Sequence, residues 1–460
     1  MRSPLAADLG AIVGDENVVV EAERLRPYGR DESDLGEFVP SVAVRPRTAA
    51  EVAAILKLCT RISMPVTPTA ARTGKSGGSL PVRGGVALDL TRFDRIVEVR
   101  RDDLVGRAEA GVITGDFQRA VEAAGLFYPP DPSSLASCTL GGNVAENAGG
   151  PRALKYGVTR EYVLGLTAVL PSGEIVHTGK QTIKGVAGFD VTGLLVGSEG
   201  MLAVVTEITS KLLPLPREVR TALCLFRAAV DASRAVSAVL AAGVLPRALE
   251  LIDETAIAAT RAAKAPFRFP EACGAALLAE VDGYVAEGCA AEIERIGAAC
   301  MEAGALDVVA AQNEAQRRDL WETRRRISVD LKSLHPRKLS EDVVVPRSRL
   351  AEMAAEVQAI GRRFSLSVAC YGHAGDGNLH ANVLFDRPED RPRVDEAVAE
   401  ILRAALRLGG TITGEHGVGL AKKEFLGLEQ GEALVGLQRR LKAVFDPAGI
   451  LNPGKMFPGE

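Results

Sequence analysis

The segment from Tyr371 to His380 constrains the fold of this chain more than any other stretch. It has the sequence YGHAGDGNLH and is flanked by two apolar runs, SVAC at 367–370 and LHANVLF at 379–385. Asp-Gly is a dipeptide that two-residue hairpin turns favour, so the pattern predicts an antiparallel hairpin with its turn at Asp376-Gly377. In that register His373 lies directly opposite His380.

The predicted hairpin would bring candidate metal ligands together. Directly paired residues have β carbons roughly 4.5–5.5 Å apart, so the imidazoles of His373 and His380 could share a divalent ion. Asn382 lies two residues beyond His380 and therefore on the same face of the strand. The alternative is a pair of histidines that serve only the structure of the hairpin.

A second polar segment, TITGEHGVG at 411–419, offers further ligands. Its glycines leave the side chains of Glu415 and His416 uncrowded. The carboxylate would complete a set of two histidines and one carboxylate, which leaves positions open for a substrate on zinc, manganese or iron. His416 could act as a base instead of a ligand. A helix N-cap or a phosphate-binding turn is the alternative interpretation of this loop.

Three glycine-rich segments lie earlier in the chain, at 65–79, 131–157 and 196–208. Successive small residues expose backbone amides, which can form concave sites for pyrophosphate oxygens. Tight turns would explain any one segment alone, but three together favour a cofactor that contains phosphate. Gly74-Lys75-Ser76 lacks the earlier glycine of a Walker loop, and no Rossmann fingerprint is present.

Composition limits the partners and the compartment. The 460 residues suffice for two or more domains, and the net charge of −4 provides no field that would hold nucleic acid or an anionic membrane. The seven cysteines include no Cys-x-x-Cys, which indicates free thiols in a reducing compartment and no iron–sulfur site on this chain. The longest apolar stretch has about 12 residues, short of the roughly 20 that span a bilayer. With no signal-peptide pattern at the N-terminus, we expect a cytoplasmic protein.

Local patterns predict an α+β chain with a boundary near residue 217. Thr48-Ala-Ala-Glu51 predicts a capping box that begins a helix, with a short strand following at 64–66. Strands are expected within 85–90, 95–112 and 203–213, a short helix at 115–124, and a hairpin at 166–179. LLPLPR at 212–217 is a proline-punctuated boundary, after which alanine-rich helices alternate with strands such as 276–284.

Taken together, these motifs resemble the FAD-linked 2-hydroxy-acid dehydrogenases of the vanillyl-alcohol oxidase type. That family includes D-lactate dehydrogenases, the flavin subunit of glycolate oxidase and D-2-hydroxyglutarate dehydrogenase. The resemblance spans about residues 38–457, with TLGGNVAENAGG, GSEGML, HAGDGNLH, GEHGVG and ILNPGK in family order.

The resemblance implies the architecture of the α+β chain. A two-subdomain FAD-binding (PCMH-type) domain would occupy residues 1–217. An α+β cap domain with an antiparallel sheet would follow at 218–410 and carry the metal-binding hairpin. A helical C-terminal segment, 411–460, would return to the flavin.

The resemblance also implies roles for individual side chains. His373, His380 and Glu415 would bind a divalent metal, with zinc ranked ahead of manganese or iron, and His416 would be the base. In a Trp-x-x-Arg helix pattern that begins at Trp321, Arg324 would bind the substrate carboxylate.

Three further substrate contacts are implied: Ser328, Lys338 and Asn382. Lys332 is the alternative to Lys338. For Arg324 the alternative is a solvated helix face, because several other arginines surround it. Those neighbours are Arg317, Arg318, Arg325 and Arg326.

For the cofactor, the resemblance implies FAD held without a covalent bond by the three glycine-rich segments and the C-terminus. The matching residues are Pro68, Thr73, Gly74, Ser76, Gly77, Gly78 and Ser79; Asp131, Ser133, Ser134, Thr139, Gly141, Gly142, Asn143, Ala148, Gly149 and Gly157; Glu199, Gly200 and Val205; and Asn452. Thr69-Ala-Ala-Arg72 stands where the family has Arg-Gly-Gly-Gly. Because alanine resists positive φ, we expect a local difference in this turn and an added charge from Arg72. His177 lies beyond the loops, so no histidine is placed to tether the flavin.

The implied reaction is oxidation of a D-2-hydroxy acid, of the D-lactate, glycolate or D-2-hydroxyglutarate class, to the 2-oxo acid. Electrons would then pass to a separate acceptor: an iron–sulfur subunit, an electron-transfer flavoprotein or a quinone. Family habit also suggests a homodimer. The alternatives are a non-redox transferase of the alkyl-glycerone-phosphate synthase type and a flavin-free metallohydrolase.

Overall fold

The computed structural model describes residues 3–459, which form two compact units. The first unit contains the chain up to Gly149, Val158–Leu215 and the stretch from Glu415 onwards. The second contains Gly150–Gly157 and Pro216–Gly414. The predicted domain bounds at 217 and 410 stay a prediction.

Helices and strands are intermixed along residues 3–459. Up to residue 215 the helices are α1 (Pro4–Val13), α2 (Ala22–Leu25), α3 (Ala49–Arg61), α4 (Thr114–Ala123), α5 (Leu140–Glu146), α6 (Ala153–Tyr156) and α7 (Val191–Leu195). The strands there are β1 (Val18–Val19), β2 (Val42–Val44), β3 (Val66–Thr69), β4 (Val86–Asp89), β5 (Ile96–Arg100), β6 (Val105–Glu109), β7 (Leu126–Phe127), β8 (Val163–Val169), β9 (Ile175–Gly179), β10 (Val204–Lys211) and β11 (Leu213–Pro214). The later helices are α8 (Ala229–Ala241), α9 (Glu254–Ala262), α10 (Ala286–Glu302), α11 (Glu314–Asp330), α12 (Leu350–Phe364), α13 (Arg391–Arg407) and α14 (Lys423–Phe445). The later strands are β12 (Glu218–Phe226), β13 (Ala248–Ile252), β14 (Ala275–Gly283), β15 (Asp307–Ala310), β16 (Arg337–Val344), β17 (Ser367–Gly372) and β18 (Asn378–Phe385).

The first unit contains two main sheets, which match the predicted sequence of elements. A four-stranded sheet has the order β1-β2-β4-β3, and a five-stranded antiparallel sheet has the order β5-β6-β10-β8-β9. Burial along β10 alternates residue by residue, because one face of a half-buried strand packs on the core and the other does not. The predicted hairpin at 166–179 is present as β8 and β9, with Val169 opposite Ile175.

The predicted capping box at the start of α3 forms only in part. Thr48 Oγ1 accepts a hydrogen bond from the amide of Glu51 at 3.2 Å, as predicted. The carboxylate of Glu51, however, accepts from the amide of Arg47 at 2.6 Å and not from that of Thr48. The strand predicted at 64–66 is also shifted, since β3 begins at Val66.

The second unit is built on a seven-stranded antiparallel sheet with the order β15-β12-β14-β13-β17-β18-β16. Helices α9 and α11 pack on one face, where Trp321 and Ile327 meet Leu278 and Ile252 in a shared core. Helices α8, α10, α12 and α13 also contact the strands. As a result, every residue of β13 and of β18 is buried.

The register of the hairpin formed by β17 and β18 differs from the prediction by two residues. Tyr371, not His373, is the residue paired with His380. The turn is longer than Asp376-Gly377 because its backbone bonds to neighbouring segments: the amide of Gly375 donates to Leu249 O, and Gly377 O accepts from Val345 N. A shift of two residues preserves the strand face, since side chains alternate with period two. His373 and His380 therefore remain on one face.

Within residues 3–459, no helix combines the length and the apolar character that crossing a bilayer requires.

Candidate active-site residues

The imidazoles of His373 and His380 face each other in the second unit. Their ring centroids are 5.1 Å apart, and the ring planes are nearly perpendicular at 86°. The two side chains belong to buried residues, with relative exposures of 3% and 7%. The two histidines are therefore close together, as predicted, although they are not directly opposite each other in the pairing of β17 with β18.

Glu250, on β13, is a residue of this group that the sequence analysis missed. Its Oε1 lies 2.7 Å from His373 Nδ1, and its Oε2 lies 2.6 Å from Nη2 of Arg324. Burial acts to raise the pKa of Glu250, but the facing His373 and Arg324 outweigh it and lower the pKa to about 2. A signal was available in the sequence, because Glu250 is the single charge in the apolar strand ALELI.

Arg324 is buried in the second unit, unlike its neighbours on α11. Its guanidinium carbon lies 4.9 Å from the centroid of the Tyr371 ring, and its Nε is buried without a hydrogen-bond partner among the described residues. Arg318 and Arg325, by contrast, are exposed. The solvated helix face considered as the alternative thus describes those neighbours and not Arg324.

The other predicted substrate contacts lie on elements of the same sheet and helix. Lys338 Nζ on β16 donates to the backbone oxygen of Ser328 at 2.9 Å and also contacts its hydroxyl. Ser328 is one helical turn beyond Arg324 on α11. Asn382 is fully buried on β18; its Nδ2 donates to His380 O at 3.0 Å, and its Oδ1 has no hydrogen-bond partner within residues 3–459. Lys332, the alternative to Lys338, is exposed.

A buried carboxylate holds the end of the second unit just before Glu415. Asp342 on β16 accepts hydrogen bonds from Thr413 Oγ1 at 3.0 Å and from the amide of Gly414 at 2.9 Å. Asn378 Nδ2 donates to the same carboxylate. Glu415 follows Gly414 directly. Within the second unit, the facing imidazoles of His373 and His380 fit two donors of a divalent ion, and the carboxylate of Glu415 is of the type that would complete such a set.

His416 belongs to the first unit. Its Nε2 lies 4.0 Å from Glu415 Oε1, and both side chains are mostly but not completely shielded from solvent. Beyond them, the amides of Val418 and Gly419 donate to the carboxylate of Glu199, each at 2.7 Å. Glu199, predicted to contact the cofactor, therefore uses both carboxylate oxygens to hold this turn.

The predicted cofactor loops of the first unit are joined through Asn452. Its Nδ2 donates to Gly78 O at 2.9 Å and to Glu199 O at 2.8 Å, so one side chain connects the first and third glycine-rich segments. Asn143 and Thr139 make internal bonds instead: Asn143 donates to Thr114 Oγ1 at 2.7 Å, and Thr139 caps α5 through the amide of Gly142.

Three buried polar atoms along these loops have no hydrogen-bond partner within the described part of the chain. They are Thr69 Oγ1, Ser76 Oγ and Glu146 Oε2. Burial and the charge of Glu199 raise the pKa of Glu146 well above its ordinary value, so its carboxyl can donate. Buried polar groups ordinarily find a partner. These atoms therefore fit loops that receive a polar cofactor.

The turn at Thr69-Ala-Ala-Arg72 takes its positive φ at the arginine. Neither alanine adopts a positive φ; Arg72 does, with φ of 57°. Its Nη1 donates to Ala70 O at 2.9 Å, and its guanidinium lies 5.0 Å from the centroid of the Tyr28 ring. His177 is exposed on β9, and its Nδ1 lies 3.1 Å from Oγ1 of Thr167.

Comparison with known proteins decides the family. The model described as FAD binding domain matches residues 40–179, and the model described as FAD linked oxidases, C-terminal domain, matches residues 215–456, more than half of the chain. The chain belongs to the FAD-linked oxidase family. This FAD-linked oxidase is therefore an oxidoreductase with an FAD-binding domain, and a flavin-free hydrolase is not supported.

Relatives of this FAD-linked oxidase cover nearly its whole length. It is 41% identical to glycolate oxidase subunit GlcD of Bacillus subtilis, over 94% of this chain and 92% of that protein. It is 35% identical to D-lactate dehydrogenase of Anaerostipes hadrus, over 96% of this chain and 95% of that protein.

Solved structures confirm the fold class. p-Cresol methylhydroxylase with substrate bound matches with a TM-score of 0.81 at 18% identity, over 98% of this chain and 96% of that one. Alkyldihydroxyacetonephosphate synthase matches with a TM-score of 0.76 at 17% identity, over 99% and 86%. The predicted α+β fold with a PCMH-type FAD-binding domain is therefore confirmed.

Proposed function

We propose that this FAD-linked oxidase oxidises a D-2-hydroxy acid, of the D-lactate, glycolate or D-2-hydroxyglutarate class, to the 2-oxo acid. One observation carries the proposal. The buried guanidinium of Arg324 is suited to bind a carboxylate. It contacts the same carboxylate, that of Glu250, as His373, one of the candidate metal ligands. A 2-hydroxy acid presents a carboxylate and a hydroxyl on adjacent carbons, which suits such a pair of groups. The names of the relatives, glycolate oxidase subunit and D-lactate dehydrogenase, support the same substrate class.

The residues divide the work in this proposal. Arg324 binds the substrate carboxylate through its fork of N–H donors, with Ser328, Lys338 and Asn382 as the further polar contacts. His373, His380 and Glu415 hold a divalent ion, with zinc ranked ahead of manganese or iron. When bound, the ion lowers the pKa of the substrate hydroxyl, as such ions do for water.

His416 then accepts the hydroxyl proton. An imidazole is a side chain suited to this step, because its ring nitrogen can accept a proton and pass it on afterwards. FAD bound by the first unit would supply the hydride acceptor, so that the substrate would lose one proton to His416 and one hydride from its α carbon to give the 2-oxo acid. The FAD contacts are the loop residues named in the sequence analysis, from Pro68 to Asn452.

The proposal includes an acceptor, an assembly and a compartment. Electrons leave to a separate acceptor such as an iron–sulfur subunit, an electron-transfer flavoprotein or a quinone, in line with a relative named as a subunit. A homodimer is part of the same proposal. All seven cysteines are unpaired and buried, which fits a reducing compartment such as the cytoplasm.

The transferase alternative has less support. The synthase resembles this chain at 17% identity, which concerns the fold alone. The relatives at 41% and 35% identity are named as an oxidase subunit and a dehydrogenase.

The visible absorption spectrum of the purified protein tests the proposal. It is recorded anaerobically before and after each member of a panel of D-2-hydroxy acids, with glycolate included and the L enantiomers as controls. Bleaching of the flavin bands by one D acid and not by its mirror image, or by achiral glycolate, is the expected result. A yellow protein that no acid in the panel bleaches would contradict the proposed substrate class.

A further inference from the structure

The carboxylate of Glu250, in the second unit, lies between the imidazole of His373 and the guanidinium of Arg324. Its carboxylate is completely buried and gives one oxygen to each partner, Oε1 to His373 Nδ1 at 2.7 Å and Oε2 to Arg324 Nη2 at 2.6 Å. We propose that Glu250 is a positioning residue that sets the orientation of the metal-binding histidine and of the carboxylate-binding arginine together. This inference rests on the proposed function, which assigns those roles to His373 and Arg324.

On the histidine side, Glu250 selects the nitrogen that can bind a metal. A carboxylate paired with a guanidinium is ionised and can only accept hydrogen bonds, so His373 Nδ1 is the donor. Nε2 of the neutral ring then carries the lone pair. Carboxylates bonded in this way to a ligating histidine fix its tautomer and its ring orientation, and their removal costs roughly 10–100-fold in metal affinity.

On the arginine side, Glu250 fixes the plane of the guanidinium. The ion pair holds Nη2, and the ring of Tyr371 lies under the guanidinium, with its centroid 4.9 Å from Cζ. Nε remains buried and without a hydrogen-bond partner in the described residues. Because the donors of a guanidinium form a rigid fork, fixing one of them directs the others. A substrate carboxylate therefore meets donors that are already oriented.

Stability alone does not explain a glutamate at this position. Its neighbours on the same strand face, Ala248 and Ile252, pack in the apolar core formed with α9 and α11. Buried ionic groups are often no more stabilising than apolar side chains of similar volume, because both ions must be removed from water. A role in positioning gives a reason for the charge.

Glu280 on the adjacent strand provides a matched control. It is 4% exposed, and its Oε2 accepts from Trp321 Nε1 at 2.6 Å and from Thr221 Oγ1 at 2.7 Å. Trp321 lies on α11 one turn before Arg324. Glu280 is thus a second buried carboxylate that contacts the same helix, and its partners are Trp321, Thr221 and Arg247, whose Nε lies 3.4 Å from Glu280 Oε1.

The experiment measures two affinities in the FAD-loaded wild type and in the variants Glu250→Ala, Glu250→Gln and Glu280→Gln. Binding of Mn²⁺ is followed by electron paramagnetic resonance, and binding of oxalate, which has no α hydrogen to lose, by perturbation of the flavin spectrum. We expect Glu250→Ala to weaken both, Mn²⁺ by roughly 10–100-fold. Glu250→Gln offers one accepting oxygen in place of two, so at least one affinity should fall by about tenfold, as expected for a lost charged hydrogen bond. Glu280→Gln should keep both affinities close to those of the wild type.

The outcomes separate this inference from the proposed function. Wild-type affinities in Glu250→Gln, or equal losses in Glu280→Gln, would overturn the role of Glu250, and Glu250→Gln decides the matter even if the alanine variant does not fold. A wild type that binds Mn²⁺ and oxalate but is reduced by no 2-hydroxy acid would contradict only the proposed function. A wild type that binds neither probe would overturn both.

Discussion

The guanidinium of Arg324 lies over the ring of Tyr371, with Cζ 4.9 Å from the ring centroid. Burial raises the pKa of Tyr371, so its ring is neutral and offers the cation an uncharged π face. This contact and the ion pair to Glu250 together stabilise a positive charge in the interior of the second unit. Arg324 is therefore not a solvated surface arginine.

Arg324→Lys tests whether that charge binds the substrate. A lysine keeps the charge but loses the planar fork, so we expect kcat/KM for the D acid that reduces the wild type to fall roughly 10–100-fold, which is the loss of one or two hydrogen bonds to a charged group. Steady-state kinetics with an artificial acceptor give the value. Arg318→Lys, at an exposed position of the same helix, is the control and should change little. Equal kinetics for Arg324→Lys and wild type would exclude Arg324 as the carboxylate ligand.

His373→Ala is expected to separate the metal from the flavin. The variant should lose bound metal and turnover while it keeps its yellow colour, because the predicted flavin contacts other than Gly157 belong to the first unit and His373 to the second. Elemental analysis and the visible spectrum measure the two together. His335→Ala, which removes a surface imidazole bonded to Asp386 and Ser367, is the control. Loss of flavin along with metal in a folded His373→Ala protein would contradict this division.

His416→Ala should keep both metal and flavin and slow the reduction of the flavin. General bases contribute typically 10²–10⁴-fold, so we expect the reductive rate to fall by roughly that amount. Anaerobic stopped-flow absorbance gives this rate without the acceptor step. His177→Ala, on an exposed strand of the same unit, should leave it unchanged. A normal rate of reduction in His416→Ala would remove His416 from the base role.

The seven cysteines should resist modification in the folded protein. All of them are unpaired and buried, and burial raises the pKa of the Cys59 thiol to about 12 and that of Cys370 well above its usual range. Because the thiolate is the reactive form, Ellman's reagent at pH 8 should react slowly with the native protein and should count seven thiols in guanidinium chloride. Fewer than seven thiols after unfolding would indicate a disulfide that the structure does not contain.

The hairpin shows how far the sequence could determine the site. The placement of His373 and His380 on one face could be predicted, because it depends only on the alternation of side chains along strands. Their register could not, because it depends on hydrogen bonds from the turn to Leu249 and Val345, which are distant in sequence. The predicted strand face of His373 and His380 was therefore correct, and their predicted direct pairing was wrong.

Glu250 could not be assigned from its own segment for a related reason. Its charge in an apolar strand marks it as unusual, but its two partners come from α11 and from the residue after β17. Only the folded sheet brings those segments together. At the turn of residues 69–72, the resistance of alanine to positive φ could be predicted from the sequence, whereas nothing in the sequence assigned the positive φ to Arg72.

Gly414→Ala should perturb the metal set without touching a ligand. A β carbon at this position would lie 2.5 Å from Asn378 Nδ2 and 2.6 Å from Val344 Cγ2, so the chain must shift, and Glu415 follows directly. Overpacking of this kind costs about 1–3 kcal/mol, and we expect a lower melting temperature together with weaker Mn²⁺ binding. Gly427→Ala is the matched control, since that glycine lies within α14 and, apart from its chain neighbours and the adjacent backbone of its own helix, no described atom lies within 4 Å of the added carbon. It should instead raise the stability by about 0.5–1 kcal/mol through the higher helix propensity of alanine, with Mn²⁺ affinity unchanged. A Gly414→Ala protein as stable as the wild type and with the same Mn²⁺ affinity would show that the close approach to Asn378 does not position Glu415.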